Sequence, residues 1–389
     1  MSSVAVSTDR PSALKTAIAG SIALAVAMGF GRFSYTLILP GMMDGLGLSA
    51  AQVSWIASAN YFGYLAGAIL AGYGWAAGHE RRLAVGSIVA TALLLLAMAL
   101  TTNVPAFLVI RFLAGVASGF AMVFTTAIVL SHGIAHGNRH VQAAHFGGVG
   151  LGIALSSVMV GVFTVWHSGW TGGWIGGFVL SLIGAAVVQL FLPAEPVATG
   201  APKREPPLVW TRDFAATTVA YGIFGFGYII TATFLVEIVH DGNGGNAFEA
   251  FVWCVTGLAA APSVAYWMPA VRRIGLARTF VVGCGVEAVG VAASVLVPLP
   301  AGPVIGGILL GGTFIMVTAY GLQIGRALAP ESPRRALAVM TAAFGIGQII
   351  GPIVAGYLAE WTGSFTLASL AAAAGLVASA CTILTVRRL

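Results

Sequence analysis

GFGRFSYT, residues 29–36, and GFGYIITA, residues 225–232, are the two stretches on which the fold turns. They align at an offset of 196 residues. At the same offset RHVQAAHFGGVGLG, residues 139–152, meets RRALAVMTAAFGIGQ, residues 334–348, which sets Arg139 on Arg335. Two matches at one offset mark the chain as an internal duplication. The only long polar stretch, PAEPVATGAPKREPPLVWTRD over 193–213, lies between the copies and holds five of the sixteen prolines. The expected organisation is therefore a half over residues 1–192, a linker over 193–212 and a second half over 213–389.

Each GFG run sits inside a long apolar segment. Hydrophobic residues make up 58% of the 389 and charged residues only 8%, against roughly 25% charged in a soluble domain. Apolar windows of about 20 residues, enough to cross ~30 Å of hydrocarbon, recur throughout. Twelve are counted: 16–40, 50–76, 83–101, 104–131, 140–165 and 172–192, then 213–239, 247–268, 277–297, 302–326, 334–358 and 363–386. They are continuous and not alternating, which excludes a transmembrane β-barrel. The expected fold is an all-α polytopic membrane protein of twelve helices, arranged as two six-helix bundles related by a pseudo-two-fold axis.

The charge balance of +6 is a matter of orientation and not of nucleic-acid binding. With the N-terminus inside, Arg10, Lys15, Arg81, Arg82, Arg139, Lys203, Arg204, Arg212, Arg272, Arg273, Arg278, Arg326, Arg334, Arg335, Arg387 and Arg388 all fall on the cytoplasmic side. Asp44, Asp241, Glu249 and Glu360 fall outside. The positive-inside rule thus places both termini in the cytoplasm. No cleavable signal peptide is expected, since the first apolar run exceeds a signal core. Cys254, Cys284 and Cys381 are odd in number and lie within spans, a pattern of packing and not of disulfides or metal ligation.

Two basic residues, Arg32 and Arg111, remain inside the spans. Such a charge costs about 2.5 to 3.5 kcal/mol on insertion scales, so its presence points to function. A rise of ~1.5 Å per residue puts both roughly 6 to 9 Å outward of the midplane. The two guanidinium groups could share one carboxylate, because the fork offers paired donors and keeps its charge in a dry site. The structural alternative is that each caps backbone carbonyls or pairs with a buried acid such as Glu237.

The twelve segments, the central linker and the repeat resemble the major facilitator superfamily. RFLAGVASG, residues 111–119, is similar to the Arg-x-x-x-Gly pattern of the family's fourth helix, often associated with proton-coupled members. GRFSYTLILP, residues 31–40, looks like a subgroup of small bacterial members of the YbfB/YjiJ type. GYGWAAGHERR, residues 72–82, departs from the family's second-to-third-helix loop in lacking its aspartate, and RRIGLAR, residues 272–278, keeps only the basic half. The resemblance implies a bacterial inner-membrane, monomeric secondary transporter working by alternating access, with segments 1, 2, 4, 5, 7, 8, 10 and 11 around a central cavity. Its partners would be a small solute, protons and the bilayer, without nucleic acid or any cofactor.

Residues on those segments supply the candidates. Helical spacing aligns Met28, Arg32, Tyr35 and Leu39 on the first segment and Tyr221, Phe224, Tyr228 and Thr231 on the seventh. Tyr228 occupies the repeat position of Arg32, so one cavity wall is cationic and the other aromatic. Asn60, Tyr64, Tyr320, Gln323 and Gln348 are hydrogen-bonding candidates, whose commoner use is to bond a neighbouring helix. For proton coupling the titratable residues within spans are His145, Glu287 and Glu237. His132, His136 and His140 suit a solvated helix turn.

An organic anion moved with protons is the expected cargo, with proton-driven efflux of amphipathic compounds as the alternative. GxxxxGK[ST], HExxH and GxSxG are absent, which argues against an ATP-driven pump and against an intramembrane enzyme.

Overall fold

The computed structural model describes residues 10–73, 75–135, 140–165, 169–193 and 205–386, and all regular structure in them is helical. The first apolar segment forms α1 (Arg10–Leu24), a π-helical stretch (Ala25–Phe33) and α2 (Ser34–Leu46). There follow α3 (Ala50–Gly72), α4 (Glu80–Ala99), α5 (Val104–Ala135), α6 (His140–Val165) and α7 (Gly169–Phe191). After the linker come α8 (Arg212–Asp241), α9 (Asn246–Ala260), α10 (Ser263–Tyr266), α11 (Met268–Ile274), α12 (Leu276–Leu296), α13 (Ala301–Leu328), α14 (Pro333–Thr362) and α15 (Thr366–Leu384). Of the expected linker, residues 194–204 lie outside the described residues, as do Arg139, Arg387 and Arg388.

Among the described residues ten helices are long and apolar enough to cross a membrane, or eleven when α9 and the α10–α11 pair, bent by 48°, count as one span. Of the twelve apolar windows, 50–76 and 247–268 are the two not among these ten. The window at 247–268 is not one helix, because Pro262 has no N–H to continue α9 and Pro269 opens α11. The 23-residue α3 has membrane length but is too polar for the count, and the cause is visible in its packing. Its Ser54, Ser58 and Asn60 are buried against other helices. Local chemistry sets its start, where Ser49 and Gln52 form a reciprocal capping box.

Close backbone contact decides which helices pair. A Cβ added at Gly150 of α6 would stand 2.3 Å from the Ala261 nitrogen, and one at Gly257 of α9 would stand 2.5 Å from the Ala154 nitrogen. Only glycine permits this approach, which joins the first copy of the repeat to the second. Near the Asp44 end, six hydrogen bonds add to it. Thr36 donates to the Ala232 carbonyl at 2.7 Å, Ser58 to the Ile349 carbonyl at 2.8 Å, and the Ala51 N–H to Glu360 at 3.0 Å. Tyr61 meets Thr233 at 2.9 Å, Trp55 donates to Tyr357 at 3.4 Å, and His240 meets Asp44 at 3.1 Å. The pairs Thr36–Ala232 and Asp44–His240 are each 196 residues apart, the offset of the sequence repeat.

Candidate substrate site

The π-helical stretch Ala25–Phe33 is wholly buried and carries Arg32. The π-helical winding ends at Phe33, and Tyr35 stands in the first turn of α2. The two side chains part company. Tyr35 turns toward α5 and α7, where its ring lies 4.8 Å from the Arg111 Cζ and 6.4 Å from the Trp174 ring, while its hydroxyl donates to the Val53 carbonyl at 2.9 Å.

Arg111 braces this stretch. Its Nη1 donates to the Gly31 carbonyl at 3.0 Å and its Nη2 to the Arg32 carbonyl at 3.3 Å. Asn60, from α3, donates in turn to the Arg111 carbonyl at 3.0 Å. Three expected ligand residues, Arg111, Tyr35 and Asn60, thus have donors committed to backbone carbonyls. Arg111 caps backbone carbonyls with two nitrogens, and its Nε is buried without a partner among the described residues.

Arg32 is held differently. Its Cζ lies 4.5 Å from the Tyr61 ring centroid, 4.9 Å from Tyr64 and 5.4 Å from Phe33. Such cation–π contacts contribute about 0.5 to 2 kcal/mol each, the larger figure when dry. They hold the plane of the guanidinium but satisfy no N–H. Arg32 is 4% exposed, and its Nε and Nη2 have no hydrogen-bond partner among the described residues. Neither arginine forms an ion pair among the described residues. Glu237 lies instead among Asp44, His240, Asp241 and Glu249.

Opposite stands an aromatic wall from the second copy of the repeat. Tyr228 is stacked with Phe224 at 5.2 Å, Phe344 at 5.6 Å and Phe314 at 5.8 Å. Tyr221 continues the stack against Phe224 and Phe344, and Phe33 meets Phe314 edge-on at 5.9 Å. Three residues of the seventh-segment stripe, Tyr221, Phe224 and Tyr228, thus stack on one another. Gln348 donates to the Tyr228 hydroxyl, and its Oε1 is buried without a partner. The Arg32 guanidinium thus lies against Tyr61 and Tyr64, with Tyr228 within electrostatic reach.

The remaining candidates lie elsewhere. Tyr320 donates to the Val264 carbonyl at 3.2 Å, and Gln323 is exposed. His145 is buried between α1 and α5, its Nδ1 at 2.9 Å from the Gly20 carbonyl and its Nε2 at 2.9 Å from the Thr126 hydroxyl. Both nitrogens are satisfied by a neutral imidazole that donates from Nδ1 and accepts at Nε2. Glu287 accepts from Thr313 at 3.0 Å between α12 and α13, with its other oxygen buried and unpartnered. Of the loop histidines, His132 approaches the Ile128 carbonyl at 2.9 Å, and His136 lies outside the described residues. Sequence alone does not single out Tyr61, Phe33, Phe314 and Phe344. Aromatic residues at helical spacing are usually packing, and only the fold brings these four together.

A bundle of membrane-length helices enclosing a buried arginine with no ion pair among the described residues is the architecture of a multi-pass membrane protein. The family model described as "Uncharacterised MFS-type transporter YbfB" matches residues 24–384, and the chain belongs to that family of the major facilitator superfamily. It is a membrane transporter and not an enzyme. No curated protein matches the sequence. Among solved structures the chain is similar to the nucleoside transporter NupG. A point mutant of NupG superimposes with a TM-score of 0.75 at 15% identity, covering 97% of this chain and 100% of that one. Another NupG structure gives 0.71 at 17% identity, covering 97% and 99%. At such identity the likeness shows the fold alone.

Proposed function

We propose that the chain is a proton-coupled secondary transporter of a small organic anion, foremost an aromatic carboxylate, held between Arg32 and the Tyr228 wall. The observation that carries this reading is the buried Arg32 guanidinium with two unpartnered nitrogens and no acid paired to it. A carboxylate supplies both the missing acceptors and the missing charge. A planar ring fits beside Tyr228, Phe314 and Phe344, whose rings are within 8° of parallel along the Tyr228 contacts.

Alternating access follows from two six-helix halves, 1–192 and 213–389, with α3 and the bent α9–α11 segment completing twelve spans. The 196-residue separation of Thr36 from Ala232 and of Asp44 from His240 supports a two-fold axis between α2 and α8, since residues beside such an axis face their own counterparts. Described basic residues Arg81, Arg82, Arg272, Arg273, Arg278, Arg334 and Arg335 lie at the ends away from Asp44 and Glu360, which supports cytoplasmic termini in a bacterial inner membrane. On that orientation the hydrogen-bonded end is the outer one, and the conformation is closed to the outside.

A second reading has its own support: a neutral planar solute such as a nucleoside. The stacked rings and the unpartnered Gln348 Oε1 suit a heterocycle, and the similar NupG structures are described as those of a nucleoside transporter. Uptake into proteoliposomes separates the two. Aromatic carboxylates should accumulate under an imposed pH gradient and nucleosides should not; the reverse pattern would replace the anion reading.

A further inference from the structure

The outer end carries a cluster that the substrate site does not use. His240, in the last turn of α8, presents both ring nitrogens to carboxylates on different elements. Its Nδ1 is 2.8 Å from Glu249 Oε1 on α9, and its Nε2 is 3.1 Å from Asp44 Oδ2 on α2. The charged groups facing it are these two acids and Glu237 one turn earlier, with Asp241 adjoining. Glu237 is buried, and its Oε2 has no hydrogen-bond partner in the protein.

Proton counting makes this arrangement informative. A neutral imidazole has one N–H and so can donate to only one of two carboxylates. For both contacts to be hydrogen bonds, either the ring is imidazolium or one carboxyl keeps its proton. The closed end therefore contains one proton more than neutral His240 between two ionised acids. When α2 withdraws from α8, the Nε2 contact is lost and that proton is no longer required. It returns to the water outside, since Asp44 is 67% exposed at its side chain.

We propose that His240, Asp44 and Glu249 form a proton-binding site that latches the outer end of the transporter: protonation closes it and deprotonation releases it. The proposal rests on the alternating-access reading above but not on the nature of the cargo. It replaces His145 and Glu287, which are satisfied or peripheral, with a group spanning the two halves. It also gives Glu237 a place, as a further buried acid that favours the cationic ring. The sign follows directly. The closed state binds the extra proton, so acid favours closure and rising pH favours opening at this end.

Opening is read without any substrate. Ser58 is buried where α3 meets α14, so a Ser58→Cys probe reports opening by its rate of alkylation. The background carries Cys254, Cys284 and Cys381 replaced by serine. With one linked proton the open-to-closed ratio should rise by up to about tenfold per pH unit across the titration. Asp44→Asn should abolish this slope with the end still closed, because an asparagine N–H can donate to Nε2 of a neutral ring. His240→Gln should abolish it as well. A pH-independent rate in the parent, or a slope that survives both variants, overturns the latch. Loss of carboxylate binding with an intact slope would refute the anion reading alone.

Discussion

Replacing Arg111 by lysine separates a brace from a ligand. The substitution keeps the positive charge, but an ammonium is more strongly hydrated and cannot span two carbonyls as the fork does. Arg111 now serves Gly31 and Arg32 at 3.0 and 3.3 Å. Lysine recovers one of these bonds at best. A hydrogen bond from a charged donor contributes about 1.5 to 3 kcal/mol, and the guanidinium's contact with the Tyr35 ring is weakened too. The expected loss is therefore about 2 to 3 kcal/mol of stability, seen as a lower melting temperature and earlier chemical unfolding by circular dichroism in detergent. Carboxylate affinity should fall less than for changes at Arg32, because two of the three Arg111 nitrogens are committed to the π-helical stretch. Wild-type melting combined with abolished carboxylate binding would refute this reasoning and return Arg111 to the role of direct ligand.

The glycine contact between the halves should be equally sensitive. Gly150→Leu places a side chain against the Ala261 backbone, so the protein should insert in the membrane yet lose transport; wild-type uptake rates would show that α6 and α9 need no such approach. Glu287→Gln keeps a group that accepts from Thr313 and should leave the pH dependence of uptake unchanged, measured in proteoliposomes against an imposed gradient. A lost pH response there would make Glu287 the coupling residue.

Much of the scaffold is legible because membrane physics writes it plainly. Uninterrupted apolar runs must be helices, and α4, α5, α6, α8 and α12 to α15 begin within a few residues of the expected positions. The break after Ala260 is present in the sequence as Pro262 and Pro269, but a hydropathy window averages over it. The π-helical stretch is not legible, since GFGRF contains no pattern that distinguishes 3.6 residues per turn from a wider winding. A regular helical period aligns Arg32 with Tyr35, whose ring contacts differ from those of Arg32. The cationic residue and its aromatic counterpart Tyr228 emerge through the repeat. Of the rings that cover Arg32, Tyr64 is among the sequence candidates, while Tyr61 and Phe33 carry no spacing that separates them from packing. His240 escapes for the same reason: one of its acids lies 196 residues away, and a histidine at a helix end has no spacing signal of its own.

The central claim is that Arg32 binds a carboxylate, and matched ligands test it most directly. Calorimetric titration would compare one aromatic acid with its neutral amide, on the wild-type protein, Arg32→Lys and Arg32→Gln. The wild type should bind the acid and discriminate against the amide, while Arg32→Lys should lose about 1 to 3 kcal/mol on the acid through loss of the fork. Arg32→Gln should lose at least as much and bind acid and amide alike. Stable Arg32 variants that hold the acid at wild-type affinity would contradict the account.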